Sequence, residues 1–240
     1  MLIRKIIFPS ILLLAAFTAN AQEEEENGGP WSGNTTLGYL ATSGNTESKS
    51  VNFEFGVNYD AVRWHHGLSG RLFSSSQDKD ATAENYQLSW NSKYDFSEFN
   101  YGVGRLDWRR DRFSSYDYQR FATLGYGRRI IKSEKHEFDA EIGGGWSQSK
   151  TVLNEDISEA VLRLYGEYDW EITDTSKFSQ TVEVSAGSSN TYTEAVTSLR
   201  LSIAGSLGLA VSFTYQNNSD VVPGTKKTDT ITAIGLDYEF

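Results

Sequence analysis

Residues Ile231 to Phe240 read I-T-A-I-G-L-D-Y-E-F. Ile234, Leu236, Tyr238 and Phe240 alternate there with Gly235, Asp237 and Glu239. A strict period of two puts the apolar set on one face of a strand and the polar set on the other. In a soluble sheet, an apolar strand ending on an aromatic residue is a sticky edge. In a closed transmembrane barrel there is no edge, one face meets acyl chains, and the other meets a polar lumen. The stretch therefore predicts the last strand of such a barrel.

The same alternation runs back through the chain. From Glu84 to Phe96, residues Tyr86, Leu88, Trp90, Tyr94 and Phe96 share one face, against Asn85, Gln87, Ser89, Asn91, Lys93 and Asp95. Val51, Phe53, Phe55, Val57 and Tyr59 repeat it, as do Phe138, Ala140, Ile142, Gly144 and Trp146. About twelve such blocks follow Trp31, each long enough for a tilted spanning strand of about 9–11 residues. The fifth, 99–111, changes phase between Val103 and Leu106, which predicts a bulge. The fold class expected is an all-β, antiparallel, up-and-down transmembrane β-barrel over residues 31–240.

The other end of the chain agrees. Met1 to Ala21 has a basic start (Arg4, Lys5), an apolar run from Ile6 to Phe17, and an A-x-A site at Ala19-Asn20-Ala21. That pattern is a secretory signal peptide, with cleavage expected before Gln22. Gln22 to Pro30, Q-E-E-E-E-N-G-G-P, reads as a solvated acidic linker. No later run is apolar enough for a spanning helix. With Cys 0 there is neither a disulfide framework nor a lipid-anchor cysteine.

Composition narrows the class. Tyr 13, Phe 13, Trp 6 and Gly 21 against Pro 3 suit many strands with few breakers, while Leu, Ile and Val are sparse for an α/β core. The net charge of −10 argues against a nucleic-acid partner, because phosphate binding needs clustered cations.

With an even strand number both termini lie at one end, and turns alternate short and long. The short side is expected at 60–61, 97–98, 132–135, 173–177 and 206, facing the periplasm. The long side is expected at 43–46, 75–83, 112–117, 147–158, 189–192 and 217–228. Aromatics gather towards both ends of the strands: Trp31, Tyr59, Trp64, Phe96, Phe99, Phe138, Trp170, Phe178 and Tyr238 at one, and Tyr39, Phe73, Tyr86, Phe113, Phe121, Trp146 and Tyr215 at the other. Two girdles match the two interfaces of a bilayer. A secreted soluble β-sandwich, whose strands also alternate, is the alternative fold.

Two stretches carry a family resemblance. Trp31 to Phe55, W-S-G-N-T-T-L-G-Y-L-A-T-S-G-N-T-E-S-K-S-V-N-F-E-F, and the region Arg109 to Trp146, with R-R-D-R-F-S-S-Y-D-Y-Q-R-F-A-T-L-G-Y-G-R-R-I and A-E-I-G-G-G-W, resemble the YdiY-like salt-induced outer-membrane proteins, a domain-of-unknown-function family. The resemblance covers essentially the whole exported chain and implies residence in the outer membrane of a Gram-negative bacterium. It brings no catalytic residues, and "salt-induced" describes expression. Gly235, Tyr238 and Phe240 likewise resemble the C-terminal signal by which the barrel assembly machinery recognises its clients, with Ala233 departing from the usual polar residue.

Candidates for chemistry are few. Nucleophilic catalysis by Ser needs a nearby base, and the three His are His65, His66 and His136. All fall towards the periplasmic side, and neighbours 65 and 66 point to opposite faces of one strand, so they do not chelate one metal. Gly125-Tyr126-Gly127 and Gly143-Gly144-Gly145 lack the strand-to-helix context of a phosphate loop and read as places where lumen space is tight. No catalytic residue, metal site or cofactor is expected.

By parity Glu54, Arg63, Arg71, Lys93, Asp95, Asp139, Glu141, Arg163, Glu167, Asp169, Glu183, Arg200 and Asp237 face inward, where pairing is the default. Arg105, Arg109, Arg110, Arg112 and Arg120 form a basic cluster towards the outer rim. Guanidinium groups bind phosphates bidentately, which makes Arg109, Arg110, Arg112 and Arg120 candidate lipopolysaccharide-phosphate contacts. Local pairing with Asp107, Asp111 and Asp117 is the alternative.

The functional reading is a non-enzymatic, monomeric envelope channel or structural barrel linked to salt or osmotic stress, with outer-membrane lipid, lipopolysaccharide and the assembly machinery as partners. A barrel hydrolase acting on lipid or peptide is the rival.

Overall fold

The computed structural model describes residues 29–42 and 47–240. The expected signal peptide and most of the acidic linker lie outside the described residues. Twelve antiparallel strands close into one barrel. They are β1 (Trp31–Thr42), β2 (Ser48–Asp60), β3 (Trp64–Gln77), β4 (Asp80–Asp95), β5 (Asn100–Asp111) and β6 (Tyr116–Lys132). The second half is β7 (His136–Thr151), β8 (Asp156–Thr173), β9 (Ser176–Ala186), β10 (Thr191–Ala204), β11 (Leu207–Asn218) and β12 (Thr228–Glu239). Each strand pairs with its sequence neighbours, and β1 closes on β12. Each block of alternation in the sequence has become a strand.

Outward faces carry the apolar set. Leu124 is 76% exposed and Ile234 60%, and Leu37, Leu106, Ile142, Trp146, Leu162 and Leu236 are exposed with them. At about 25 cal/mol per Å² such a band is strongly unfavourable in water, but in hydrocarbon it is already solvated. The barrel is therefore a transmembrane one, and the soluble sandwich is set aside.

Both termini lie at one end, with the short turns. At that end Trp31 packs on Tyr59 at 4.8 Å, Trp64 on Tyr94 at 4.9 Å, and Tyr168 on Phe178 at 6.5 Å, forming an aromatic belt. The barrel closes there too. Gly33 and Phe240 exchange backbone hydrogen bonds of 2.9 and 3.0 Å, and the ladder continues from Asn34↔Glu239 to Leu37↔Leu236.

Four expectations need correction. First, β5 has no bulge, since its registers with β4 and β6 run unbroken from Tyr101 to Arg109. The apparent phase change arises because Tyr101 and Val103 are apolar residues buried inside the barrel. Second, Phe73 pairs with inward Asn52 and Phe121 is buried against Tyr192 and Val161, so neither belongs to a girdle. Third, Arg63 lies in the turn before β3, outside the lumen, where it donates to the Tyr94 hydroxyl. Fourth, two of the long loops are shorter than expected, while that expected at 43–46 lies outside the described residues. Residues 75–83 hold a two-residue turn at Asp78 (φ 50) and Lys79 (φ 74), whose double positive φ matches the twist of a hairpin. Residues 147–158 reduce to a turn at 152–155. The polar residues there belong to strands that run past the apolar band.

Candidate functional site: a bridged lumen

The inner wall is where most charges meet. On β9, Glu183 accepts from Arg109 of β5 at 2.7 Å and from Arg163 of β8 at 3.2 Å, and lies 3.7 Å from Arg105. Arg163 also donates to Glu141 of β7 at 2.8 Å. Lys93 of β4 lies 3.5 Å from Asp139 and 3.6 Å from Glu141. The Tyr101 hydroxyl is 2.9 Å from Asp139 and 3.1 Å from Glu141. Strand alternation aims these groups at one volume, and their burial strengthens the attraction between partners.

Glycine makes the room. A side chain at Gly127 would overlap the Tyr101 ring, so only glycine lets that ring lie flat on the wall. This is the tight lumen expected of the glycine-rich stretches.

A second layer of bonds crosses from one side of the barrel to the other. Glu194 of β10 accepts from the Tyr192 hydroxyl at 2.8 Å and from the Gln216 amide at 2.7 Å, and Arg71 of β3 lies 3.6 Å away. Asn85 of β4 donates to Gln216 of β11 at 3.3 Å, far across the sequence. The Arg109 guanidinium lies 4.0 Å from the Tyr192 ring and 4.9 Å from that of Phe121. Stacking of this kind contributes about 2 kcal/mol when the cation is desolvated. Arg109 is 7% exposed.

These residues divide the lumen. On the terminus side is a chamber of about 620 Å³, reaching from Asn34, Asn58, Asp60 and Arg129 up to Glu183 and Glu194. Its lining holds seven carboxylates, including Glu54, Glu137 and Glu167, against four Lys and Arg side chains (Arg71, Lys93, Arg105, Arg129), with His65 and His66 beside them. On the loop side, among the described residues, lies a space of about 20 Å³ bordered by Asn85, Arg109, Tyr116, Gln119, Tyr192 and Gln216, room for about one water. Loops close over it. The Val222 amide donates to the Ser115 hydroxyl at 2.9 Å, the Tyr116 hydroxyl to the Asp220 carbonyl at 3.2 Å, and the Val152 amide to the Ser115 carbonyl at 3.0 Å. The interior is a cup open at the end that carries the termini.

At the seam between β1 and β12, Asp237 is 1% exposed. It accepts from Thr36 at 2.6 Å and pairs with Arg200 at 2.8 Å, so an inward charge clasps first strand to last.

The histidines separate as parity requires. His65 faces inward, with Nδ1 2.7 Å from Asp60 and Nε2 3.1 Å from Asp95. Each ring nitrogen already faces a carboxylate, which leaves neither to take a proton from a hydroxyl. His66 stacks outside on Trp64 and Trp90, at 5.7 and 6.3 Å. His136 lies 2.8 Å from the Tyr168 hydroxyl and stacks on Trp170.

The basic cluster splits. Arg105 and Arg109 point into the lumen, so Arg109 is removed from the candidate phosphate contacts. Arg110 and Arg112 are exposed and pair with Asp117 at 3.3 Å and Glu84 at 3.0 Å. Arg120 is exposed on the outer wall, 4.5 Å from the Tyr118 ring. Sequence reasoning missed Glu194, Tyr192 and Gln216. Glu194 and Gln216 share the parity of inward residues and Tyr192 falls in the expected loop 189–192, but nothing local marks any of them as a partner of β4 or β5.

Comparison with known proteins places the chain. A family model described as "Protein of unknown function, DUF481" matches residues 35–240. The uncharacterized protein YdiY of Escherichia coli (strain K12) is 29% identical over 210 residues, covering 87% of this chain and 83% of that one. Among solved structures, the NanC porin superposes with a TM-score of 0.53 at 12% identity, over 85% of this chain and 98% of its own. An outer membrane channel from Pseudomonas putida F1 superposes with a TM-score of 0.50 at 11% identity, over 88% and 96%. The likeness is one of fold, to outer-membrane-type barrels.

Proposed function

The chain belongs to the DUF481 family, and from that premise we propose that it is a non-enzymatic outer-membrane channel, preferring cations and held shut by the Arg109–Glu183 ion pair and the Glu194–Gln216 hydrogen bond beside it. The observation that carries this is the acidic chamber ending at a polar plug. A wall with more carboxylates than bases raises the local concentration of cations, and a plug of side chains rather than backbone can rearrange without unfolding the barrel. A role under salt or osmotic stress belongs to this proposal and comes from the resemblance of the sequence alone.

In this reading Met1–Ala21 is removed on export and 22–30 is a tether ahead of the barrel at 31–240. Gly235, Tyr238 and Phe240 address a monomer to the assembly machinery, and the termini face the periplasm. The hydrolase reading loses ground because the two carboxylates on His65 occupy the base it needs.

The test is single-channel conductance of the refolded exported chain in a planar bilayer. Wild type is expected to stay closed at low voltage, and Arg109→Ala to give discrete, cation-selective steps that scale with salt. Silence from an Arg109→Ala barrel that is folded by heat-modifiable gel migration would reject the channel in favour of a structural barrel.

A further inference from the structure

The outer wall of a barrel is convex, and the hydrocarbon around it packs against ridges. Over β3–β7 this wall is instead hollowed. Leu68, Leu88, Trp90, Leu106, Ala122 and Trp146 enclose a recess of about 490 Å³ that opens to the lipid side. The register explains the hollow. One row across β4–β7 reads Trp90, Leu106, Ala122, Trp146, and the row below it, nearer the terminus end, reads Ser92, Gly104, Leu124, Gly144. The small Ala122, set between Leu106 and Trp146, leaves a gap between indole walls. In a bilayer only an acyl chain fills such a gap, since water there would have no partners.

The rows above it turn basic. The next row is Leu88, Trp108, Arg120, Gln148, and beyond it stand Tyr86, Arg110, Tyr118, Lys150. Arg110 and Lys150 are each diagonal to Arg120, about 7–8 Å away in such ladders. Arg120 and Lys150 make no ion pair among the described residues, and Arg110 holds Asp117 in a solvent-exposed pair at 3.3 Å, which competes weakly. Three cations thus stand at headgroup height, immediately above the indoles of Trp90 and Trp146. Guanidinium recognises phosphate bidentately.

We propose that this recess binds lipopolysaccharide, with one acyl chain of its lipid A between Trp90 and Trp146 and a phosphate held by Arg110, Arg120 and Lys150. The choice of lipid rests on the reading that the loop end faces outward, into the leaflet where the phosphorylated lipid is lipopolysaccharide. It does not depend on the channel.

The experiment is native mass spectrometry of the refolded barrel in detergent, offered purified bisphosphorylated lipid A, enzymatically dephosphorylated lipid A, or phosphatidylglycerol. The expected result is one retained bisphosphorylated lipid A, with about tenfold less dephosphorylated lipid A, as loss of one charge-assisted hydrogen bond implies. Arg110→Gln with Arg120→Gln should lower retention at least tenfold, and Ala122→Leu should lower it by filling the recess while leaving every cation in place. Equal retention of phosphatidylglycerol, or no effect of either variant in a folded barrel, overturns the site. Orientation is read separately. An Asp78→Cys barrel in whole cells should react with a membrane-impermeant maleimide, and failure to label while lipid A still binds in detergent would overturn the orientation and with it lipopolysaccharide as the occupant.

Discussion

Glu183→Gln removes one charge from the most heavily paired position of the lumen. Its carboxylate receives Arg109 and Arg163 and neighbours Arg105, and all four side chains are largely shielded from water. After substitution, Arg105 keeps Asp107 at 2.9 Å and Arg163 keeps Glu141 at 2.8 Å. Arg109 keeps only its aromatic neighbours, Tyr192 and Phe121. One desolvated guanidinium is then without a counter-charge, a loss of about 3–5 kcal/mol. At a urea dependence of about 3 kcal/mol per M, the unfolding midpoint in vesicles should fall by about 1–2 M. Tryptophan fluorescence reports it. Glu54→Gln is the control, because Glu54 faces the same chamber without an ion pair among the described residues and should cost less than about 0.5 kcal/mol, a midpoint shift below about 0.2 M. Adding Arg109→Gln to Glu183→Gln removes the stranded charge and should recover part of the loss. Equal effects of Glu183→Gln and Glu54→Gln, or a double variant less stable than either single, would refute the bridge as a coupled unit.

Other substitutions probe other parts of the barrel. Asp237→Asn weakens the clasp between first and last strand through Arg200 and Thr36, and should cost about 1.5–3 kcal/mol, read as a lower temperature for the gel shift of the folded barrel. Gly127→Ala drives a methyl into the Tyr101 ring and should cost about 1–3 kcal/mol, seen as reduced refolding yield. Gly144→Ala meets nothing nearer than the Val161 carbonyl at 3.6 Å and should refold like wild type. Leu124→Arg puts a charge on the hydrocarbon-facing wall and should destabilise the barrel by about 2–4 kcal/mol in a vesicle unfolding titration.

What was legible in the sequence follows from how local each feature is. Alternation of Tyr86, Leu88 and Trp90 with Gln87, Ser89 and Asn91 depends on a single strand's pleat, so β4 could be read directly. The closing strand β12 could be read the same way. Which residues meet across the lumen depends on the stagger with which the sheet closes, a property of all twelve strands together. Arg109 therefore read as a rim cation, although its true partner, Glu183, is separated from it by three strands. Tyr101, Val103 and Phe121 misled for the opposite reason. A polar lumen is the rule for wide barrels, and this one is narrow enough to be partly filled by apolar side chains. Loop lengths were overestimated because strands projecting past the apolar band carry polar residues on both faces, as at Ser74–Gln77.

The chain has no cysteine, so single cysteines report one position each. The most direct measurement is two-sided labelling of Asn58→Cys, on the chamber wall, in vesicles of known orientation with a membrane-impermeant maleimide. A cup closed by the bridge predicts reaction from the side of the termini and none from the side of the loops. Equal labelling from both sides would mean a continuous water path, and would contradict the closed lumen on which the account rests.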